Sequence, residues 1–185
     1  MPGYFAVGGH ARLDQVDRDS VDHIVSAWHD RDPGLDSSTL QVIGRLLLCA
    51  GYFERAAIAA LEPYGLSIAD FDVLNTLHRV GDHGGSKPTD LARASLITTG
   101  AMTSRLDRLE RAGLIRRQPD PADRRGILVK LTAKGAKVAH RALRALIDVN
   151  ESYLDPLSAQ QRDTLASTLK TLLLQQENAH RDQPS

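Results

Sequence analysis

The stretch PTDLARASLITTGAMTSRLDRLERAGLIRRQPDPADRRGILVKL, residues 88–131, decides the fold. Pro88 opens a brief helix, where a proline sacrifices only an N–H that would have had no helical partner. LITTG (96–100) reads as a turn. Thr98 or Thr99 then caps a second helix, GAMTSRLDRLERA, with Ala101 or Met102, Leu106 and Leu109 on its inner face and Gly113 as its stop. LIRRQ (114–118) alternates as a strand, DPADRRG (120–126) carries the Pro, Asp and Gly of a turn, and ILVKL (127–131) alternates again. Helix, turn, helix, hairpin is the order of a winged helix-turn-helix.

Upstream, Ser67 is placed to cap SIADFDVLNTLHRV, whose Phe71, Leu74, Leu77 and His78 make a buried stripe. Before it, a long helix runs from Ser37 or Ser38 to about Leu61, with Leu40, Ile43, Leu47, Ala50 and Ala57 at apolar positions. A shorter helix capped by Ser20 carries Val21, Ile24, Val25 and Trp28. Downstream, a helix from Thr132 to about Tyr153 is broken at Pro156. Ser158 caps a last helix with Leu165, Leu169, Leu172 and Leu173 at helical spacing. The expected fold class is mainly α with a small β-hairpin.

Bulk composition agrees. Aromatics are only 4% of the 185 residues against 42% hydrophobic overall, so the core must be built from aliphatic side chains, which suits packed helices. No apolar run reaches the roughly 20 residues of a membrane span, and no secretory leader is recognisable at the start, so a cytoplasmic protein is expected. The single cysteine, Cys49, excludes an intrachain disulfide or a thiolate cluster. It lies in the apolar GRLLLCAGYF and is read as a buried structural thiol.

The formal net charge of zero conceals a strong asymmetry. Residues 86–137 hold twelve basic side chains and five acidic ones, a surplus of seven that the rest of the chain offsets. Such a block is the footprint of a polyanion partner, or else a plain solvated face. In the helix-turn-helix reading, the second helix enters the major groove. Small residues at its start, Thr98, Thr99 and Gly100, let backbone N–H groups approach a phosphate, with Ser104, Arg105 and Arg108 further along. Lys87, just before the first helix of the pair, is a further candidate DNA contact. Arg124 and Arg125 sit at the tip of the hairpin, suited to a narrow minor groove, with Asp123 expected to brace them by an ion pair.

The run LARASLITTGAMTSRLDRLERAGLIRR (91–117), followed by DPADRRG and LTAKG, resembles the winged-helix core of the MarR family of bacterial regulators. The resemblance spans roughly residues 40–175, and its most specific part is the spacing from LERAGLIRR to DPADRR. It implies a homodimeric transcription regulator, most simply a repressor, that reads a pseudo-palindrome in double-stranded DNA. The implied organisation is a flexible arm at 1–19, an extra N-terminal helix at 20–36 and the family domain at 37–185. Within that domain the winged core covers about 66–131, with dimerisation helices at 37–62 and 132–177.

The added N-terminal helix with its tryptophan is similar to the urate-responsive branch of that family. The resemblance implies a ligand site from Trp28, Asp72, Arg105 and Arg117 for urate or a related purine or aromatic acid. A flat anion can lie on an indole and take guanidinium hydrogen bonds. In the ligand-free state Asp72 would pair with Arg117, and a ligand would compete for that arginine. The alternatives are that Trp28 only anchors its helix, that Asp72 and Arg117 form a structural pair, and that Arg105 meets only phosphate. The effector could instead be a phenolic compound or a metal, or the basic face could serve a protein partner.

No cofactor is called for, and His78 and His83 lack any metal-ligand spacing. There is no phosphate loop, nucleophile elbow or usable Cys/His pair, so no enzyme is expected.

Overall fold

The computed structural model of the chain describes residues 18–80, 85–94 and 102–181. It contains helices α1 (Ser20–Arg31), α2 (Ser38–Leu61), α3 (Ile68–Val80), α4 (Pro88–Ala94), α5 (Met102–Arg111), α6 (Ala133–Leu154) and α7 (Ala159–Arg181). A 3₁₀ turn, Glu62–Tyr64, follows α2, and strands β1 (Ile115–Asp120) and β2 (Asp123–Leu131) form an antiparallel ribbon. The architecture is thus mainly helical with one hairpin, as the patterning predicts. Two compact units are present, Met1–Tyr52 and Phe53–Ser185, the division falling within α2.

In the N-terminal unit the cap of α1 is Asp19 rather than Ser20. The Asp19 carboxylate accepts from the backbone N–H groups of Val21 and Asp22 at 2.8 and 3.0 Å, while the Asp22 carboxylate accepts from the Asp19 N–H at 2.9 Å. A carboxylate satisfies the free N–H groups of a first turn better than the hydroxyl one place later, because the helix dipole adds to the hydrogen bonds. Arg45 of α2 donates to both aspartates at 2.7 Å. The backbone N–H of Asp19, followed by the Arg45 guanidinium, holds the Asp22 carboxyl below its ordinary range.

One expectation for α2 is corrected: Cys49 is exposed rather than buried. Ile43 and Leu47, at apolar positions of the helix, are exposed as well. Alternation of apolar residues identified a helix with a hydrophobic face. It could not say whether the cover for that face comes from the same chain.

The second unit holds the main core. Leu74, Leu77, Leu91, Leu106, Leu109, Ile115, Val129 and Ala139 are buried in one cluster drawn from α3, α4, α5, the ribbon and α6. Phe71, Leu74 and Leu77 line α3 as its spacing predicts, with His78 half-buried, and Met102, Leu106 and Leu109 form the inner face of α5. The Thr98 or Thr99 cap, and Ala101, lie outside the described residues.

α6 starts at a tight joint. Thr132 is its N-cap, accepting from the Gly135 N–H at 2.9 Å, and the same hydroxyl donates to the Gly113 carbonyl at 2.7 Å. Lys134 Nζ donates to the Ala112 carbonyl at 2.9 Å. A Cβ on Gly135 would collide with the Leu114 carbonyl oxygen, so only glycine permits this approach. Gly113 itself has φ 69°, the left-handed geometry that ends α5.

The candidate nucleic-acid interface

The wing is longer than its turn residues suggested. Both strands run into DPADRRG, leaving only Pro121 and Ala122 as the turn, and Asp120 pairs directly with Asp123. Because Pro119 pairs with Ile127, residues 124–126 are extra on β2 and form a bulge. Arg124 and Arg125 are exposed on that bulge. Gly126 closes it, since a Cβ there would come within 2.9 Å of the Asp120 Cβ.

Carboxylates set the tip, though not in the expected way. Asp123 accepts from the backbone N–H of Arg125 at 3.0 Å rather than pairing with an arginine side chain. Asp120, 8% exposed, accepts from the Ala122 N–H at 2.9 Å and lies 3.4 Å from Lys87 Nζ. Lys87, read above as a DNA contact, is therefore also the pin between the wing and the segment entering α4. Next to it, Ser86 exchanges two backbone hydrogen bonds with Val129, at 3.0 and 2.9 Å, which adds a short third rung to the ribbon.

The second helix of the motif, α5, is held on two sides. Arg108 donates from Nε to Asp70 Oδ2 at 3.1 Å and pairs through its other nitrogen with Oδ1. Asp70, 3% exposed, also accepts from the Ser67 hydroxyl at 2.7 Å, and Ser67 Oγ in turn accepts from the Asp70 N–H at 3.1 Å. Arg108, half-exposed, is thus a strut to α3, and its remaining surface faces solvent.

On the other side, Arg117 of β1 donates to Glu110 and Asp107 of α5, each at 2.6 Å. The expected Asp72–Arg117 pair is not formed. Glu110 also accepts from the Arg117 backbone N–H at 2.9 Å, and this bond, then the guanidinium, holds the Glu110 carboxyl below its ordinary value. Burial works against the charged form of Arg117, but the two carboxylates outweigh it and raise its pKa.

Asp72 is nearly buried, and its Oδ2 has no hydrogen-bond partner among the described residues. Arg105 is half-buried on α5 with no partner among the described residues, whereas Ser104, exposed, is engaged. Trp28, 46% exposed, belongs to the N-terminal unit, and Asp72, Arg105 and Arg117 to the other. Thr98, Thr99, Gly100 and His83 lie outside the described residues. His78 packs edge-on against His140 of α6, with ring centroids 6.0 Å apart.

The bracing roles of Asp70, Asp107, Glu110 and the Thr132 hydroxyl were not read from the sequence. The signals were present: a Ser-x-x-Asp box at residues 67–70 and carboxylates spaced i, i+3 on α5 opposite a strand arginine. Lys134, counted with the polyanion footprint, is instead occupied by a carbonyl.

A two-helix motif with a paired third rung and a cationic bulged wing defines a winged helix-turn-helix protein. A model of the MarR family matches residues 64–126. The regulator PecS of Dickeya dadantii (strain 3937) is 34% identical over 149 residues, covering 80% of this chain and 90% of that protein. The multiple antibiotic resistance protein MarR of Salmonella typhimurium is 34% identical over 114 residues, covering 61% and 77%. A mutant MarR from E. coli, crystallised with operator DNA, superposes with TM-score 0.62 at 28% identity, covering 79% of this chain and 97% of that one. The chain belongs to the MarR family, and with it to transcription regulators and not to enzymes.

Proposed function

We propose that two copies of this chain bind a pseudo-palindromic operator in duplex DNA as a repressor, and that urate or a similar small anion releases them. The observation that carries the DNA reading is the bulged wing, where Arg124 and Arg125 stand exposed beside the arginine-rich α5. A relative of this family has been crystallised on operator DNA, which supports the same role here. Pairing is supported by the leucines that α7 leaves exposed. With two recognition helices, the half-sites should lie about 34–36 Å apart, one turn of the duplex.

Arg124→Ala tests the DNA reading. Affinity for the operator should fall about tenfold, and the slope of log affinity against log salt should shrink by about one. Unchanged affinity and slope would remove the wing from the interface.

The ligand reading rests on the resemblance of Trp28, Asp72, Arg105 and Arg117 to the urate-responsive branch, and on the buried Asp72 Oδ2, which has no hydrogen-bond partner among the described residues. Arg117 is engaged by α5, so a bound anion would compete with Glu110 and Asp107 rather than with Asp72. Loosening that contact frees the helix that carries Arg105. Trp28 is the only tryptophan, so its fluorescence reports binding directly. Urate should quench it saturably in the wild type, and Trp28→Phe should lose derepression while keeping operator affinity. No quenching at millimolar urate would discard the ligand.

A further inference from the structure

Two carboxylates of the wing share Lys87. Its Nζ lies 3.4 Å from Asp120 Oδ2 and 3.9 Å from Asp123 Oδ2. Asp120 is nearly buried, and Gly126 closes the bulge so tightly over it that a Cβ there would come within 3.2 Å of Oδ2. A buried carboxylate is costly unless a cation answers it. The two Ser86–Val129 hydrogen bonds tie the root of the ribbon. Nearer the tip, across residues 119–127, Lys87 alone among the described residues outside the ribbon makes a polar contact with the wing. One ammonium against two carboxylates leaves a net negative charge, so a phosphate nearing Lys87 would be repelled by groups already in place.

We infer that Lys87 and Asp120 are positioning residues that set operator specificity, holding Arg124 and Arg125 at a fixed reach from α5, and that neither touches DNA. The inference rests on the wing being a DNA contact, as proposed above. Specific binding requires the wing and α5 to engage one half-site together, and a wing ordered in advance spares the cost of fixing it at that moment. Non-specific binding requires only cations near phosphates in any register. Loosening the pin therefore weakens operator binding and spares binding to arbitrary sequence.

The full chain is titrated with a duplex that it selects from a random pool and with a scrambled duplex of equal length. Asp120→Asn is the sharpest variant, because charge and pin predict opposite signs. It removes a negative charge, so electrostatics alone predicts tighter binding to both duplexes. The pin predicts about tenfold weaker binding to the selected duplex, while affinity for the scrambled one holds or rises. Lys87→Met should show the same selective loss with an unchanged salt slope, since no phosphate contact goes with it. Lys87→Arg should restore wild-type binding, and Lys87→Met with Asp120→Asn should lose no more than the larger single. Lys87 is half-exposed and asparagine keeps an acceptor for the Ala122 N–H, so these variants should fold.

Three outcomes overturn the inference. Asp120→Asn could bind the selected duplex as tightly as wild type; Lys87→Met could weaken both duplexes alike and shrink the salt slope by about one, the mark of a phosphate contact; or the two losses could add in full. Arg124→Ala separates this inference from the reading beneath it. Unchanged binding there removes wing and pin together, whereas a loss there beside wild-type binding by Asp120→Asn removes the pin alone.

Discussion

Within the larger unit, the winged core and α7 are built on opposite plans. The core buries its leucines and ties its helices with polar struts. Asp70 reaches Arg108, Arg117 reaches α5, and Thr132 reaches Gly113. α7 buries none of its large apolar side chains: Leu165, Leu169, Leu172, Leu173 and Leu174 are all exposed, Leu173 at 59%. One region is complete in a single chain, and the other is finished only by something that covers it. Burying a leucine contributes about 1.5–3 kcal/mol, so a row of them left in water is a strong drive towards association.

The sharpest way to break this contrast is to charge α7. Leu169→Glu with Leu173→Glu should convert a dimer to a monomer by sedimentation and reduce operator affinity by about a hundredfold or more, while the core keeps its fold. A variant of unchanged mass would mean that α7 is not a pairing surface.

Gly135→Ala strikes the core instead. A methyl group there meets the Leu114 carbonyl, and overpacking against backbone should cost about 3 kcal/mol. Urea unfolding would read this as a lower midpoint, and an unaltered midpoint would show that the joint yields easily.

Asp70→Asn leaves Arg108 without its carboxylate and is expected to cost about 2 kcal/mol. The figure sits below that of a fully buried pair because Arg108 is half-exposed. Combined with Arg108→Gln, the loss should be smaller than the sum of the singles. Strict additivity in that double-mutant cycle would exclude the strut.

The smallest effect is expected at Glu110. Its carboxyl titrates below its ordinary 4.5 in the folded chain. The stability it contributes is therefore complete above about that pH, and is lost as pH falls through the lower folded value. Glu110→Gln should flatten this acid limb by slightly lowering neutral stability, so that variant and wild type converge in acid. An acid limb identical to wild type would mean that the contact between β1 and α5 does not couple to folding.

Much of this architecture is legible in the residues themselves. Pro88, Gly113 and Pro156 punctuate the helices, and Phe71, Leu74 and Leu77 show which face of α3 is inner. What escaped were choices between neighbours that only three-dimensional geometry decides. Asp19 caps α1 because its carboxylate and that of Asp22 close a reciprocal box with Arg45, a residue 26 positions on. Arg117 takes Glu110 and Asp107 rather than Asp72, because α5 presents those carboxylates to β1. Exposure of Cys49 was hidden for another reason. An apolar run looks the same whether its own chain or a second molecule shields it.

The bracing of α5 limits how any message can reach DNA. Tethered to α3 through Asp70, to β1 through Arg117 and to α6 through Thr132 and Lys134, this helix cannot slide within its socket while those bonds hold. It travels with its neighbours as one block. In the proposed dimer, a stimulus that leaves the tethers intact would then tilt whole blocks, changing the distance between the two readers while each reader keeps its shape.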